Sequence, residues 1–191
     1  MIKLQIKDSI RVKEKLLNNE SVLKNIEIVS KECIKALKNE GKILLAGNGG
    51  SAADSQHISA EFVSRFYFDR PGLPAIALTT DTSALLAIGN DYGFENVFSR
   101  QIEALGNKGD IFIGISTSGN SKNVVNGLIA ANKKGIITVG LIGENGGLME
   151  DLCTYCIKVP SNETPRIQES HILIGHIICC IVEENIFGHL K

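Results

Sequence analysis

The chain lacks the features that would assign it at a glance. Its charges nearly cancel, with 20 lysines and arginines against 21 acidic residues and a formal net charge of −1. No long basic run appears, which argues against nucleic-acid binding by bulk electrostatics. The N-terminus mixes charge throughout (Lys3, Lys7, Asp8, Arg11) and has no apolar signal-peptide core. No apolar stretch reads as long enough for a membrane span. Internal repeats and low-complexity segments are absent. These absences predict a cytoplasmic protein with neither nucleic-acid nor membrane partners.

A disulfide framework and a zinc ribbon are missing too. The five cysteines (Cys33, Cys153, Cys156, Cys179, Cys180) are an odd number without a secretion signal, so reduced thiols are expected. Cys153-Thr-Tyr-Cys156 is formally C-x-x-C, but Cys179-Cys180 has the wrong spacing for a second ribbon pair. A redox C-x-x-C is expected at a helix start, and this one falls in an apparent strand. All five are read as buried or half-buried structural residues.

What is present is an alternation of strands and helices. The 191 residues, 43 % hydrophobic, suffice for one domain with a sizeable core. Apolar residues recur at helical spacing over 2–17 and again from Ser21 to Asn39, with Val22, Ile26, Val29, Cys33 and Leu37 on one stripe. The narrow stripe outside a βα core points to packing against another copy of the chain, or simply to cover for one edge of the sheet. Strands are expected at Ile43–Ala46, Ala75–Leu78, Asp110–Ile115, Gly135–Leu141 and Cys153–Val159. Helices are expected from the first glycine turn to about Phe66, at Ser83–Gly89, at Val97–Leu105, and after Ser121 to about Lys134. Asn90-Asp91-Tyr92-Gly93 reads as a turn. Thr164-Pro165 reads as an N-cap and N1 proline opening a last helix to about Phe187. The pattern predicts an α/β doubly wound, five-stranded parallel sheet flanked by helices, with ligands at the strands' C-terminal ends. Residues 1–40 read as a helical extension used in oligomerisation and 41–191 as the ligand-binding domain, within a single structural unit.

Two turns carry the chemistry. Gly47-Asn48-Gly49-Gly50-Ser51 joins a buried strand to a helix, which presents backbone N–H groups and the positive end of the helix dipole. His57 and Glu61 follow on one face at i,i+4, able to share a proton or a metal ion. The second turn, Ser116-Thr117-Ser118-Gly119-Asn120-Ser121, brings four hydroxyls to another helix start and suits a phosphate monoester. It lacks the Gly-Lys-Ser/Thr ending of a Walker A loop, and the first turn does not match G-x-G-x-x-G.

The segments Gly47-Asn-Gly-Gly-Ser-Ala-Ala53, Gly114-Ile-Ser-Thr-Ser-Gly-Asn-Ser121 and Arg166-Ile-Gln-Glu169, followed by His176, resemble the sugar isomerase (SIS) domain family. Pro74-Ala-Ile-Ala-Leu78 and Gly89-Asn-Asp-Tyr-Gly-Phe94 extend the likeness over nearly the whole chain. His57, Glu61, Gln168 and His176 narrow it to the phosphoheptose isomerase branch. The resemblance implies conversion of sedoheptulose 7-phosphate to D-glycero-D-manno-heptose 7-phosphate, the first step towards the ADP-heptose of lipopolysaccharide core. It further implies phosphate held by Ser116, Thr117, Ser118 and Ser121. Asn48, Gly49, Gly50, Asn90, Asp91, Glu61 and Gln168 would contact the sugar. Glu61 and His176 would be the acid/base pair, and a divalent metal, usually zinc, would sit on His57, Glu61, Gln168 and His176. The family habit is a homotetramer, with active sites expected at subunit interfaces.

Independent chemistry agrees in outline. Ketose–aldose isomerisation moves a carbon-bound proton between C1 and C2 through an enediol, work suited to a partly buried carboxylate such as Glu61. His176 can serve the oxygens near neutral pH. Gln168 and His176 lie eight helical residues apart, roughly 12 Å along the axis. One ion therefore meets both only if each side chain stretches inward, or if the two come from different subunits. His171 is a reserve ligand, His189 is expected in solvent, and Arg65 pairs with Glu61, reaches substrate, or forms a surface salt bridge. Phe66, Tyr67 and Phe68 are expected to pack. Two rivals stand beside this reading: a non-catalytic SIS adaptor binding the replication initiator, and an isomerase for another phosphosugar such as an arabinose 5-phosphate.

Overall fold

The structure is a computed structural model, and it describes residues 1–190. In chain order the elements are α1 (Ile2–Leu17), α2 (Glu20–Lys38), β1 (Ile43–Gly47), α3 (Gly50–Val63), β2 (Ala75–Ala77), α4 (Thr82–Tyr92), α5 (Val97–Leu105), β3 (Ile111–Ser116), α6 (Lys122–Lys133), β4 (Ile137–Ile142), β5 (Tyr155–Lys158) and α7 (Thr164–Phe187). Single 3-10 turns occupy Phe94–Asn96, Gly147–Met149 and Gly188–Leu190. The five strands form one parallel sheet in the order β2-β1-β3-β4-β5. β1 and β3 are buried along their whole length, as their unbroken apolar runs require when helices cover both faces.

The pleat sorts the core into two layers. Ile43 and Leu45 of β1, with Ile111, Ile113 and Ile115 of β3, pack on one face beneath α2, α3 and α7. Leu44, Ala46 and Phe112 pack on the other with α5 and α6. α2 buries Val22, Ile26, Val29 and Cys33 on the first of these faces. α1 buries only Val12 and Leu16, and leaves Ile2, Leu4, Ile6, Ile10 and Leu17 more than half exposed.

Several boundaries differ from the sequence reading. α3 stops at Val63 rather than near Phe66, because the amides of Phe66 and Tyr67 are claimed by the Glu183 carboxylate. Asn90, Asp91 and Tyr92 lie inside α4, not in a turn, and Gly93 ends that helix at φ 87°. The Asn and Asp side chains bond each other on an exposed surface, so they do not compete with the helix backbone. β5 begins at Tyr155, since Thr154 is drawn aside by Thr138, whose hydroxyl accepts its N–H at 2.9 Å. At α7 the N-cap is Glu163, and Thr164 is already helical, with no side-chain cap.

α7 also corrects the membrane reading. Among the described residues it is the one helix long and apolar enough, by length and composition, to cross a bilayer. Its Ile167, Ile174, Ile178, Cys179 and Val182 are instead buried in the protein core, and Arg166, Glu169, His176 and Glu183 interrupt the run. The hydrophobic character serves packing against α2 and α3.

Candidate active site

The sheet order reverses between β1 and β3, since β2 lies beyond β1 while β4 and β5 continue beyond β3. A crevice opens at the C-terminal ends of strands at such a switch point. The two turns singled out from sequence leave β1 and β3 there. A reciprocal amide pair ties them together: Asn48 donates to Asn123 at 2.9 Å and Asn123 returns the bond at 2.8 Å. Asn123, buried on α6, was not anticipated.

In the second turn the Ser116 hydroxyl lies 2.9 Å from that of Ser121 and 3.4 Å from that of Ser118. Thr117 is half-buried beside them. Gly119 has φ 66°, and a Cβ there would fall 1.8 Å from the Gly146 carbonyl, so only glycine closes the loop. Neither α3 nor α6 carries a side-chain cap at its first turn. Both helix starts face the crevice; at α6 the Val124 N–H is taken by Asn123 Oδ1 at 3.0 Å, and the clustered hydroxyls add neutral donors.

Behind the first turn, α3 and α7 run side by side. Gln168 packs on Gly50, its amide nitrogen 2.6 Å from where a Cβ would stand, and Gly175 packs on Ile58. One residue further, His176 meets His57, their Nε2 atoms 2.9 Å apart. Glu61 Oε1 lies 3.3 Å from His57 Nε2. The three donor atoms fall within 4.8 Å of one another. Two imidazole nitrogens facing each other beside a carboxylate need either a shared proton or a common cation, and the donor set suits a borderline ion at about 2.0–2.2 Å from each ligand. His176 joins this group within one chain, with no partner subunit required. Gln168 sits instead two turns of α7 away, at the mouth of the first turn.

The remaining expectations divide. Asn90 and Asp91 are exposed at the end of α4, and their side chains bond each other. Phe66 packs its ring 5.6 Å from that of His176, while Tyr67 is 72 % exposed. Arg65, past the end of α3, is exposed and makes no ion pair among the described residues. His189 is exposed. His171, proposed as a reserve ligand, is fully buried away from the triad. Neither of its ring nitrogens has a hydrogen-bond partner of good geometry, and burial depresses its pKa from 6.5 to about 4, only partly offset by the Ile142 carbonyl.

Two further features escaped sequence reasoning. Asp54 lies on α3 one turn before His57, and burial raises its pKa to about 6 against the opposing pull of His57. Its spacing of four from Gly50 and three from His57 was the available signal. The other is a buried ion pair beneath Glu61. Arg70 Nε donates to Glu183 Oε1 at 3.0 Å, and both side chains are 1 % exposed. Arg70 also donates to the carbonyls of Glu61 (2.8 Å), Phe62 (2.6 Å), Ser64 (3.0 Å) and Pro71 (3.0 Å), capping the C-terminal end of α3. Burial would raise the Glu183 carboxyl, but hydrogen bonds from Tyr67, Phe66 and Arg70 outweigh it and hold the pKa below the ordinary value. Nothing local in the sequence joins residues 113 positions apart.

The SIS domain family profile matches residues 7–143, more than half the chain. The chain belongs to the SIS domain family. Within it, this SIS domain is 66 % identical over 187 residues to phosphoheptose isomerase 2 of Campylobacter jejuni, covering 98 % of this chain and 93 % of that protein. The solved phosphoheptose isomerase of Neisseria gonorrhoeae superposes with a TM-score of 0.90 at 42 % identity, covering 96 % of this chain and 97 % of that one. That of Francisella tularensis gives 0.92 at 35 % identity, covering 96 % of each. The SIS fold is thus common to these two solved proteins and the chain described here.

Proposed function

We infer that this SIS domain is an aldose–ketose isomerase converting sedoheptulose 7-phosphate to D-glycero-D-manno-heptose 7-phosphate. The carrying observation is the convergence of His57, Glu61 and His176 behind the first glycine turn, in a chain so close to named phosphoheptose isomerases over nearly its full length. That combination favours the enzyme over an adaptor or an isomerase for a shorter sugar. The reaction would open the route to ADP-heptose for lipopolysaccharide core.

The Ser116–Ser121 turn holds the phosphate on Ser116, Thr117, Ser118 and Ser121, with the α6 dipole behind it. Asn48, Gly49 and Gly50 line the sugar's path towards the triad. Gln168, lying over Gly50, hydrogen bonds sugar oxygens, and it serves as a cation ligand only if its side chain leaves that glycine. Asn90 and Asp91 reach substrate from the exposed end of α4. The Glu61 carboxylate removes the C1 proton of the ketose and redelivers it to C2 of the enediol. Oε1 faces His57 Nε2 at 3.3 Å, and the second oxygen is assigned this transfer. His176 gives a proton to O2 and takes one from O1, so the net movement is one hydrogen from C1 to C2 and one from O1 to O2. A lost acid–base group of this kind costs about 10²–10⁴-fold in rate.

His57, Glu61 and His176, with Gln168 as a fourth candidate, are the residues that would hold a zinc ion. When bound, such an ion polarises the carbonyl and steadies negative charge on the enediol oxygens. The exposed apolar face of α1 is the surface proposed for homotetramer formation, which would set active sites near subunit boundaries. Cytoplasmic location follows from the phosphorylated substrate. The test is incubation with sedoheptulose 7-phosphate followed by NMR. Appearance of the aldose C1 signal supports the assignment, and an unchanged ketose spectrum with folded, zinc-supplied protein refutes it.

A further inference from the structure

The half-buried cysteines near the C-terminal edge of the sheet are placed in a way that simple packing does not require. Cys153 and Cys156 converge over Gly140: their sulfurs lie 2.8 and 3.3 Å from the point a Cβ on that residue would occupy. The chain reaches this arrangement because Thr154 bends it, held by reciprocal bonds with Thr138. Cys153 and Cys156 are among the residues lining a cavity of about 620 Å³, with Asn25, Glu150 and Lys158, and both are half-buried rather than sealed in the core. The other three cysteines have no such neighbour relation to this site, and Cys33 and Cys179 are buried.

We propose that Cys153 and Cys156 form a reversible dithiol–disulfide site, oxidised by hydroperoxides, whose closure acts on the adjoining serine turn. The coupling to that turn rests on its reading as the phosphate site, whereas the thiol chemistry does not. Cys156 is the attacking sulfur. A hydrogen bond from Cys153 favours its thiolate, and Lys158 adds to this, against burial and the nearby Glu150 and Asp151. The thiolate attacks the terminal peroxide oxygen, the O–O bond breaks, and the leaving alkoxide or hydroxide takes a proton from water. The resulting sulfenic acid then meets the Cys153 sulfur. An S–S bond forms, the S–OH bond breaks, and the thiol proton leaves with hydroxide as water. Two thiols are oxidised by two electrons, and one peroxide is reduced. In a reducing compartment such a bond is transient, as a sensing disulfide must be.

The mechanical link is short. The Cys156 thiol lies 4.0 Å from the Met149 carbonyl and 3.9 Å from that of Glu150, and the Cys153 amide donates to Met149 at 3.1 Å. Met149 in turn donates its N–H to the Gly119 carbonyl at 3.0 Å, and Leu148 donates to the Asn120 side chain at 3.0 Å. Drawing the two sulfurs to the covalent separation of about 2.05 Å therefore pulls on the segment that backs Gly119 and Asn120.

The experiment treats the full chain with hydrogen peroxide, blocks free thiols, and maps disulfides by mass spectrometry before and after dithiothreitol. Calorimetry with inorganic phosphate follows on reduced, oxidised and re-reduced protein, and on Cys153→Ser and Cys156→Ser. The expected result is a Cys153–Cys156 disulfide that dithiothreitol reverses, with phosphate affinity several-fold weaker only while it persists. Cys153→Ser should stop at the sulfenic acid, trapped by dimedone on Cys156. Absence of the 153–156 disulfide at peroxide levels that oxidise Cys180 overturns the thiol site. A disulfide that leaves phosphate affinity unchanged overturns the coupling. Reduced protein that binds no phosphate also refutes the coupling, by removing the phosphate reading on which it depends, and leaves the mass spectrum to judge the thiol chemistry.

Discussion

Replacing Glu183 with Gln tests the clamp beneath Glu61 with almost no change of shape. The native carboxylate accepts from Phe66 N at 2.8 Å, Tyr67 N at 2.7 Å and Arg70 Nε at 3.0 Å. Glutamine keeps one acceptor oxygen but turns an NH₂ group towards at least one of these donors. It also leaves the Arg70 guanidinium buried without its counter-ion. Breaking one partner of a buried pair costs about 3–5 kcal/mol, because the remaining charge is uncompensated. For a domain of this size each kcal/mol lowers the melting temperature by roughly 2–4 °C, so a fall of about 10 °C is expected. Arg70→Met should cost at least as much, since the carbonyls of Glu61, Phe62, Ser64 and Pro71 lose their donor too. The double variant Arg70→Met/Glu183→Gln should be milder than the sum of the singles, because no buried charge remains. Differential scanning calorimetry reads all four proteins. A Glu183→Gln midpoint within 2 °C of the parent, or additive singles, would refute the argument that this pair fixes the end of α3.

Three further outcomes are expected. His171 is neutral in the fold with a pKa of about 4 and binds a proton near 6.5 when unfolded, so its stabilisation is complete above pH 6.5 and is lost as pH falls towards 4. The gap corresponds to about 3 kcal/mol, and His171→Phe should remove that part of the slope in urea titrations at pH 7 and pH 4.5. Ser118→Asp should abolish phosphate binding by like-charge repulsion; unchanged affinity in calorimetry, with the fold intact, would sink the phosphate assignment. Light scattering at micromolar concentration should give about four times the chain mass, and Ile6→Glu/Ile10→Glu on the exposed face of α1 should lower it.

The parts of the fold legible in the sequence were those dictated by local patterning. The strand expected at Asp110–Ile115 is legible because Ile111 to Ile115 are all apolar or small, and the two glycine-bearing turns announce themselves by composition. His57 and Glu61 were legible from a spacing of four on one helix. Boundaries failed where a distant residue intervened, as when Glu183 claims the amides that would have extended α3. Asn90-Asp91 carries turn-forming residue types, but their side chains bond each other and leave the helix backbone of α4 intact. The site's cross-links, Asn48 with Asn123 and Arg70 with Glu183, join segments 75 and 113 residues apart and leave no local trace. The meeting of His176 with His57 within one chain depended on the parallel alignment of α3 and α7, which spacing along α7 alone does not reveal.

The assignment of Glu61 as the carbon base is open to direct measurement. Sedoheptulose 7-phosphate is incubated in deuterated water with zinc-supplied wild type, Glu61→Gln and His176→Asn, and the C1 and C2 protons are followed by NMR. Wild type should exchange or transfer the proton. Glu61→Gln should do neither while phosphate affinity stays nearly unchanged, with kcat down by roughly 10²-fold or more and KM little altered. Wild-type exchange in Glu61→Gln together with its loss in His176→Asn would contradict the account, giving the carbon base to His176 and leaving Glu61 as a cation ligand.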